Sequence, residues 1–221
     1  MITEDLFLLL LDNASGTPAL DPPRRDHVLA AAVLLELAHQ CHIRPATAGD
    51  PAPEGVLVAL AAPGPVHPVA APALDLVRAR PLEAGTAIKK VGRHTQDRLV
   101  AHLEASGAIR RTPLSGSRFR RSFAFPLTDR SRPQEARAAL IGALFERRPP
   151  SPSTAAIVTV LHAVDGLGAL LSLNDRGWRW VHARAGEISA GSWVDESPSG
   201  LAEVNLAVTA ATVRQALSAI G

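Results

Sequence analysis

The feature that most constrains the fold is an apolar run at residues 28–38, in which Glu36 is the only charged side chain. A helix drawn through this run is apolar on almost every side, a pattern typical of a helix surrounded by other elements. The run is far shorter than the ~20 apolar residues that a helix needs to cross a bilayer. We therefore predict a central core helix that begins at Arg25 or Asp26.

Further helices are predicted from capping side chains, from prolines near helix starts and from glycines after helix ends. Thr3 is the expected cap of the first helix, Pro133 opens another at its first position, and Ser153 caps the next. The predicted helical ranges are 3–11, 73–80, 87–106, 133–147, 153–167, 176–190 and 201–220.

Short strands complete the predicted fold. Residues 55–60 are expected to pair with residues 43–45, and residues 109–114 with residues 118–127. Period-two alternation predicts one buried face on the last strand, formed by Phe119, Phe123, Phe125 and Leu127. The sequence thus predicts a mainly α protein, a single compact helical domain over residues 1–221 with one or two short β-hairpins.

Basic residues are concentrated in residues 89–148. This segment has 14 basic and 5 acidic residues, whereas the rest of the chain has 9 basic and 16 acidic residues. Such an asymmetry predicts a surface that attracts anions. Lys89, Lys90 and Arg93 lie about one helical turn apart, so their donor groups can converge on a phosphate.

Other residue combinations do not predict a catalytic or metal site. His39, Cys41 and His42 are chemically suited to Zn²⁺, but Cys41 points away from the helix face that the histidines share, and we expect it to be a small core residue. The serines in residues 115–117 lie in a turn without the G-x-S-x-G elbow, and His162 is expected to be a hydrogen-bonded core residue. We therefore expect no enzyme activity, no metal and no cofactor.

Four sequence blocks, taken together, resemble the Golgi phosphoprotein 3 family. They are residues 3–11, the L-x-E-L-A core within residues 33–38, residues 98–109 and the Leu-His-containing residues 154–171. Their order and spacing match the family pattern. The resemblance implies a compact helical fold without catalysis, which lies peripherally on membranes and binds phosphatidylinositol 4-phosphate in a shallow basic pocket.

The resemblance also implies where this pocket lies. In the family it is formed by a Trp before the central helix, an Arg at the start of that helix and an i,i+3 Arg pair on the helix before the hairpin. By position these correspond here to a segment near Asp21 that has no Trp, to Ala30, and to Arg93 and Gln96. With the neighbouring basic residues included, the predicted headgroup-binding residues are Arg93, Gln96, Lys89, Lys90, Arg24 and Arg25. The predicted membrane or partner hairpin carries Arg118, Arg120 and Arg121.

The expected function is peripheral binding of phosphoinositides or other anionic lipids, in the cytoplasm because no secretory signal is visible. A winged-helix DNA-binding protein is the main alternative, since residues 95–106 and the Arg-rich hairpin have the order of a recognition helix and a wing. That helix presents few base-reading side chains, so nucleic acid is not the expected partner. A helical protein-interaction scaffold is a third reading, in which the hairpin is a candidate surface for a protein partner or a homo-oligomer.

Overall fold

The computed structural model describes residues 1–114, 123–196 and 200–220, and it confirms the mainly helical fold. Among these residues, no helix has both the length and the apolar character that crossing a bilayer requires. In chain order the elements are α1 (Ile2–Leu10), α2 (Pro22–His39), β1 (Ile43–Pro45), β2 (Leu57–Ala59), α3 (Ala71–Ala79), α4 (Ala84–Ala105), β3 (Thr112–Pro113), β4 (Phe123–Ala124), α5 (Ser131–Phe145), α6 (Pro152–Ala163), a 3₁₀-helix (Leu167–Ala169), α7 (Asp175–Ser189), α8 (Trp193–Glu196) and α9 (Leu201–Ile220).

The core is built around α2, as predicted. Residues 28–38 are all buried, and α2 packs against α1, α4, α6 and α9. The buried Glu36 carboxylate accepts hydrogen bonds from the Ile2 amide at 2.7 Å and from the Gln40 side chain at 2.8 Å. These bonds offset the cost of removing a carboxylate from water. The one charged residue in the run is therefore compatible with a central position.

The start of α2 is earlier than predicted. The helix begins at Pro22 rather than at Arg25 or Asp26, because the Asp21 side chain caps it and accepts a hydrogen bond from the Arg24 amide at 3.2 Å. Proline is tolerated in a first turn, where amide groups have no partner within the helix. Because the helix starts earlier, Arg24 and Arg25 both lie within α2.

Helices α2 and α4 approach each other closely at Gly92. A Cβ atom at this position would lie 3.1 Å from the carbonyl oxygen of Asp26 and 3.7 Å from the Cβ of Ala30. The absence of a side chain therefore allows the start of α2 to lie against the middle of α4. This contact places the first turn of α2 beside the α4 residues that were predicted to bind a headgroup.

The predicted positions of α7 and α9 are confirmed within a residue, but the other helix starts lie earlier than predicted. Helix α1 begins at Ile2, so Thr3 lies inside the helix and does not cap it, and α3 and α4 begin at Ala71 and Ala84 rather than at residues 73 and 87. Helix α6 is capped by Ser151, whose Oγ accepts a hydrogen bond from the Thr154 amide at 3.1 Å, and not by Ser153. Helix α5 begins at Ser131, two residues before Pro133. The short α8 and the 3₁₀-helix were not predicted, because single turns carry no periodic pattern.

Both predicted strand pairs are present, β1 with β2 and β3 with β4, each antiparallel. Phe125 is buried as predicted, and its ring centroid lies 5.8 Å from that of Phe7 in an edge-on arrangement. Phe123 and Leu127 are only partly buried against the core. Phe119 lies outside the described residues. The aromatic end of the second strand pair is thus attached to α1.

The close contact at Gly92 can be tested with a matched pair of glycine substitutions. We expect Gly92→Ala to lower the free energy of unfolding by about 1 kcal/mol, because the new methyl group overpacks the junction of α2 and α4. The control is Gly186→Ala in α7, where a Cβ atom would meet nothing within 4 Å. That change should stabilise the protein by up to about 1 kcal/mol through helix propensity. Equal shifts in urea denaturation would contradict the close contact.

Candidate functional site

An open depression of about 310 Å³ lies between the first turn of α2 and the middle of α4. Two of the predicted headgroup-binding residues, Lys89 and Arg93, contribute to it. The complete lining consists of Pro22, Pro23, Asp26, His27, Lys89, Gly92 and Arg93. The fold thus brings the predicted cations of α4 next to the N-terminal end of the central helix.

Lys89, Lys90 and Arg93 form what we call the basic face of α4. Lys89 and Arg93 are exposed and Lys90 is half-exposed. None of the three makes a hydrogen bond or ion pair with a residue in the described part of the chain. Their i,i+3 and i,i+4 spacings allow their charged ends to reach one ligand. An anion at this face would gain charge-assisted hydrogen bonds without breaking bonds within the protein.

Arg25 and Gln96 are engaged with each other across the two helices. The Nε of Arg25 donates to Oε1 of Gln96 at 2.7 Å, and its Nη1 donates to the carbonyl oxygen of Leu20 at 2.9 Å. Burial lowers the pKa of the half-buried Arg25 guanidinium from its usual value, but the group stays charged. This pair connects α2 to α4 and occupies Oε1 of Gln96, whereas the Nε2 donor of Gln96 makes no bond with a described residue.

Arg24 is occupied in a different way. Its Nε forms an ion pair with Oδ2 of Asp21 at 2.5 Å, and its Nη1 lies 3.5 Å from the carbonyl oxygen of Val164, just after α6. Arg24 does not line the depression. The six predicted headgroup-binding residues therefore divide into three cations on α4 without a partner in the described part of the chain and three side chains that already have partners.

Asp26 opposes anion binding in the depression that it lines. Burial raises the pKa of the Asp26 carboxyl above its ordinary value, while the charges of Arg25 and His27 partly counteract this effect. The first turn of α2 adds few donors, because its two prolines have no N–H group and the Arg24 amide is bound by Asp21. An anion at this site would therefore be held mainly by the basic side chains of α4, with His27 as a further possible donor in the lining.

One further family position contributes nothing to the depression. Ala30, which corresponds to the helix-start Arg of the family, is completely buried beside Gly92. The hairpin residues Arg118, Arg120 and Arg121 lie outside the described residues, so their role stays a prediction.

A second group of polar side chains was missed by the sequence analysis. Oε1 of Glu4 lies 3.0 Å from Nε2 of His102 and 3.5 Å from Nε2 of His67, and Oε2 of Glu4 lies 2.6 Å from Nη2 of Arg132. Burial disfavours ionisation of Glu4, but the hydrogen bond and charge of Arg132 outweigh it and lower the pKa of this carboxyl. Burial also lowers the pKa of His67. No local motif connects these residues, which come from four distant segments.

The histidines and the cysteine near the end of α2 do not assemble into a comparable group. His39 lies 4.0 Å from the Glu203 carboxylate, whereas His42 is buried. Cys41 is partly exposed in a turn with a φ of 56°, so it is not the core residue that was expected. The Nδ1 atom of His162 has no hydrogen-bond partner among the described residues, contrary to the expectation for that histidine.

These observations define the class of protein: a mainly helical fold around one buried helix, with a basic face beside the start of that helix that makes no bond with the described residues. The sequence model of the family described as Golgi phosphoprotein 3 (GPP34) matches residues 2–202, so the chain belongs to the Golgi phosphoprotein 3 family. No curated protein sequence matches the chain. The family assignment inferred from the four sequence blocks is thereby confirmed.

The difference between paired and unpaired cations has a measurable consequence for stability. We expect Arg25→Met to reduce the free energy of unfolding by about 1–2 kcal/mol, because it removes the hydrogen bonds to Gln96 and Leu20. Arg93→Met should change it by less than about 0.5 kcal/mol, since no described residue loses a bond. Chemical denaturation of both variants provides the comparison. A larger loss for Arg93→Met would show that Arg93 is a structural residue.

Proposed function

We propose that this protein is a non-enzymatic module that docks peripherally on anionic lipid surfaces through the basic face of α4. The observation that carries the proposal is the combination of three neighbouring cations without partners in the described residues and the adjacent depression. Many other arginines are already paired, such as Arg111 with Glu104 and Arg132 with Glu4. Membership of the Golgi phosphoprotein 3 family supports a docking role without catalysis.

The charge of the basic face is sufficient for reversible attachment. A basic residue close to an anionic membrane contributes about 1 kcal/mol. Lys89, Lys90 and Arg93 together therefore contribute about 3 kcal/mol, or roughly a hundredfold in the partition between water and an anionic surface. This attraction acts through a screened field and weakens as salt shortens the Debye length.

A phosphomonoester headgroup fits the basic face better than a diffuse negative surface does. It carries nearly two negative charges at neutral pH, and Arg93 can offer it a planar pair of donors while the lysines act as point charges. Asp26 limits how deeply such a group can enter the depression. We therefore propose binding of phosphoinositides and other anionic headgroups at the rim, without a commitment to one inositol phosphate.

The DNA-binding alternative is weakened by the contacts of its presumed recognition helix. Gln96 is bound by Arg25, His102 is 3.0 Å from Glu4, and Glu104 forms an ion pair with Arg111. Base reading requires side chains that are free to enter the major groove. Each of these side chains would first have to lose an intramolecular partner.

Vesicle binding by two single-arginine variants tests the proposed surface. We expect Arg93→Ala to weaken binding to phosphoinositide-containing vesicles by about fivefold, equivalent to the loss of about 1 kcal/mol. The matched control is Arg176→Ala, which removes an exposed arginine near the start of α7. This control should bind as the unchanged protein does. Binding is measured by flotation at low salt, with thermal melts to verify folding.

Further outcomes of these experiments distinguish docking through the basic face from DNA binding. Equal vesicle binding by Arg93→Ala and Arg176→Ala, with equal melting temperatures, would make Arg93 an ordinary surface charge and exclude the basic face as the docking site. A DNA fragment run in parallel covers the winged-helix reading. A sequence-selective complex that persists at moderate salt, and is lost when Arg118, Arg120 and Arg121 are changed to Gln, would favour DNA binding instead.

A further inference from the structure

We propose that Glu4, His67 and His102 form a binding site for a divalent transition-metal ion, with Zn²⁺ as the occupant that suits these ligands. The site would be separate from the basic face of α4, and it does not depend on the proposed lipid binding. Among the described residues, these three form the one group of at least three histidine, cysteine or acidic side chains that could hold an ion. Their ligand atoms all lie within 4.8 Å of one another.

The distances between the ligand atoms suit a small metal ion. In a tetrahedral zinc site with bonds of about 2.0–2.1 Å, neighbouring ligand atoms are about 3.3 Å apart. Oε1 of Glu4 lies 3.0 Å from Nε2 of His102 and 3.5 Å from Nε2 of His67. The two imidazole rings are nearly perpendicular, at 78°, with centroids 4.5 Å apart. The ligand atoms therefore need only small shifts to surround an ion.

The surrounding residues hold the carboxylate in a ligating orientation. Arg132 donates from Nη2 to Oε2 of Glu4 at 2.6 Å and from Nε to Oδ1 of Asp5 at 2.7 Å. With Oε2 fixed in this way, Oε1 faces the two histidines. Hydrogen bonds of this kind orient ligands in metal sites and contribute strongly to affinity. The Arg132 contact thus has the form of an outer-shell interaction.

The three ligands come from well-fixed elements and remain accessible. Glu4 lies on α1 and His102 on α4, while His67 precedes α3 and its carbonyl oxygen accepts hydrogen bonds from the amides of Ala70 and Ala71. The Glu4 side chain is 8% exposed, but those of His67 and His102 are 23% and 34% exposed. An ion can therefore reach the buried carboxylate from the histidine side. Three protein ligands would leave a fourth position for water, as in zinc sites that are not purely structural.

Metal binding carries two costs. His67 accepts a hydrogen bond at Nδ1 from the Val69 amide at 3.3 Å, so coordination through Nε2 requires the ring proton to move to Nδ1 and this bond to break. The bond is longer than most N–H hydrogen bonds, and its loss is small beside a metal–imidazole bond. The Arg132 charge repels a dication, whereas Glu4 and the nearby Asp5 attract it. We therefore expect weaker binding than in a four-ligand structural zinc site.

Calorimetric titration of the metal-stripped protein with Zn²⁺ tests the site. We expect one ion per chain, and at least a tenfold loss of affinity in His102→Gln and in His67→Gln. The matched control is His94→Gln, since His94 is an exposed histidine on the same helix without a described partner. This control should bind zinc as the unchanged protein does. Circular dichroism melts establish whether each variant is folded. If one of the two ligand variants is not folded, the other one provides the test.

Co²⁺ provides an independent readout of geometry. A bound Co²⁺ ion with two imidazole ligands and one carboxylate should give intense visible absorption bands that Zn²⁺ displaces and that are missing in His102→Gln. The proposal is overturned if no zinc binds to the native protein. It is equally overturned if both ligand variants bind zinc with unchanged affinity and stoichiometry, because the ion would then be held by other side chains.

Discussion

Burial of the whole circumference of α2 along residues 28–38 is the constraint on which the rest of the structure depends. A helix that is apolar on every side must be covered on every side, and α1, α4, α6 and α9 provide this cover. The covering is close enough on one side to require a glycine, since Gly92 lies against the carbonyl oxygen of Asp26. That contact fixes the first turn of α2 beside the middle of α4. The same packing that completes the core therefore also forms the depression next to the basic face.

Electrostatics divides the basic residues of this chain into two groups. One group holds the fold together: Arg25 connects α2 to α4, and Arg132 joins α5 to both acidic residues of α1. The other group makes no bond with the described residues, and it includes Lys89, Lys90 and Arg93, which are neighbours on α4. Sequence charge alone cannot separate these groups, because pairing depends on which helix faces which. The distinction explains why a proposal for anion binding rests on α4 and not on the basic segment as a whole.

The fold was largely predictable from the sequence, whereas the site was predictable only in part. The central helix, α7, α9 and both strand pairs follow from local periodicity, which depends on neighbouring residues. Helix starts were less accurate where two capping residues compete, as Ser151 and Ser153 do before α6. The Arg25–Gln96 bond connects residues 71 positions apart, and the contacts of Glu4 with His67, His102 and Arg132 span from 63 to 128 positions. No local pattern encodes such contacts. Arg93 is a candidate from the sequence because family resemblance and local charge both point to it.

Flotation of the unchanged protein with vesicles of two compositions tests the central claim, docking by charge, most directly. At low salt we expect recovery with vesicles that contain phosphoinositide or phosphatidylserine and little recovery with purely zwitterionic vesicles. Raising the salt should release the bound protein. The Debye length, about 10 Å at 0.1 M ionic strength, shortens with added salt and screens the attraction between the basic face and the membrane. Equal recovery on both vesicle types at low salt would contradict docking through the basic face of α4.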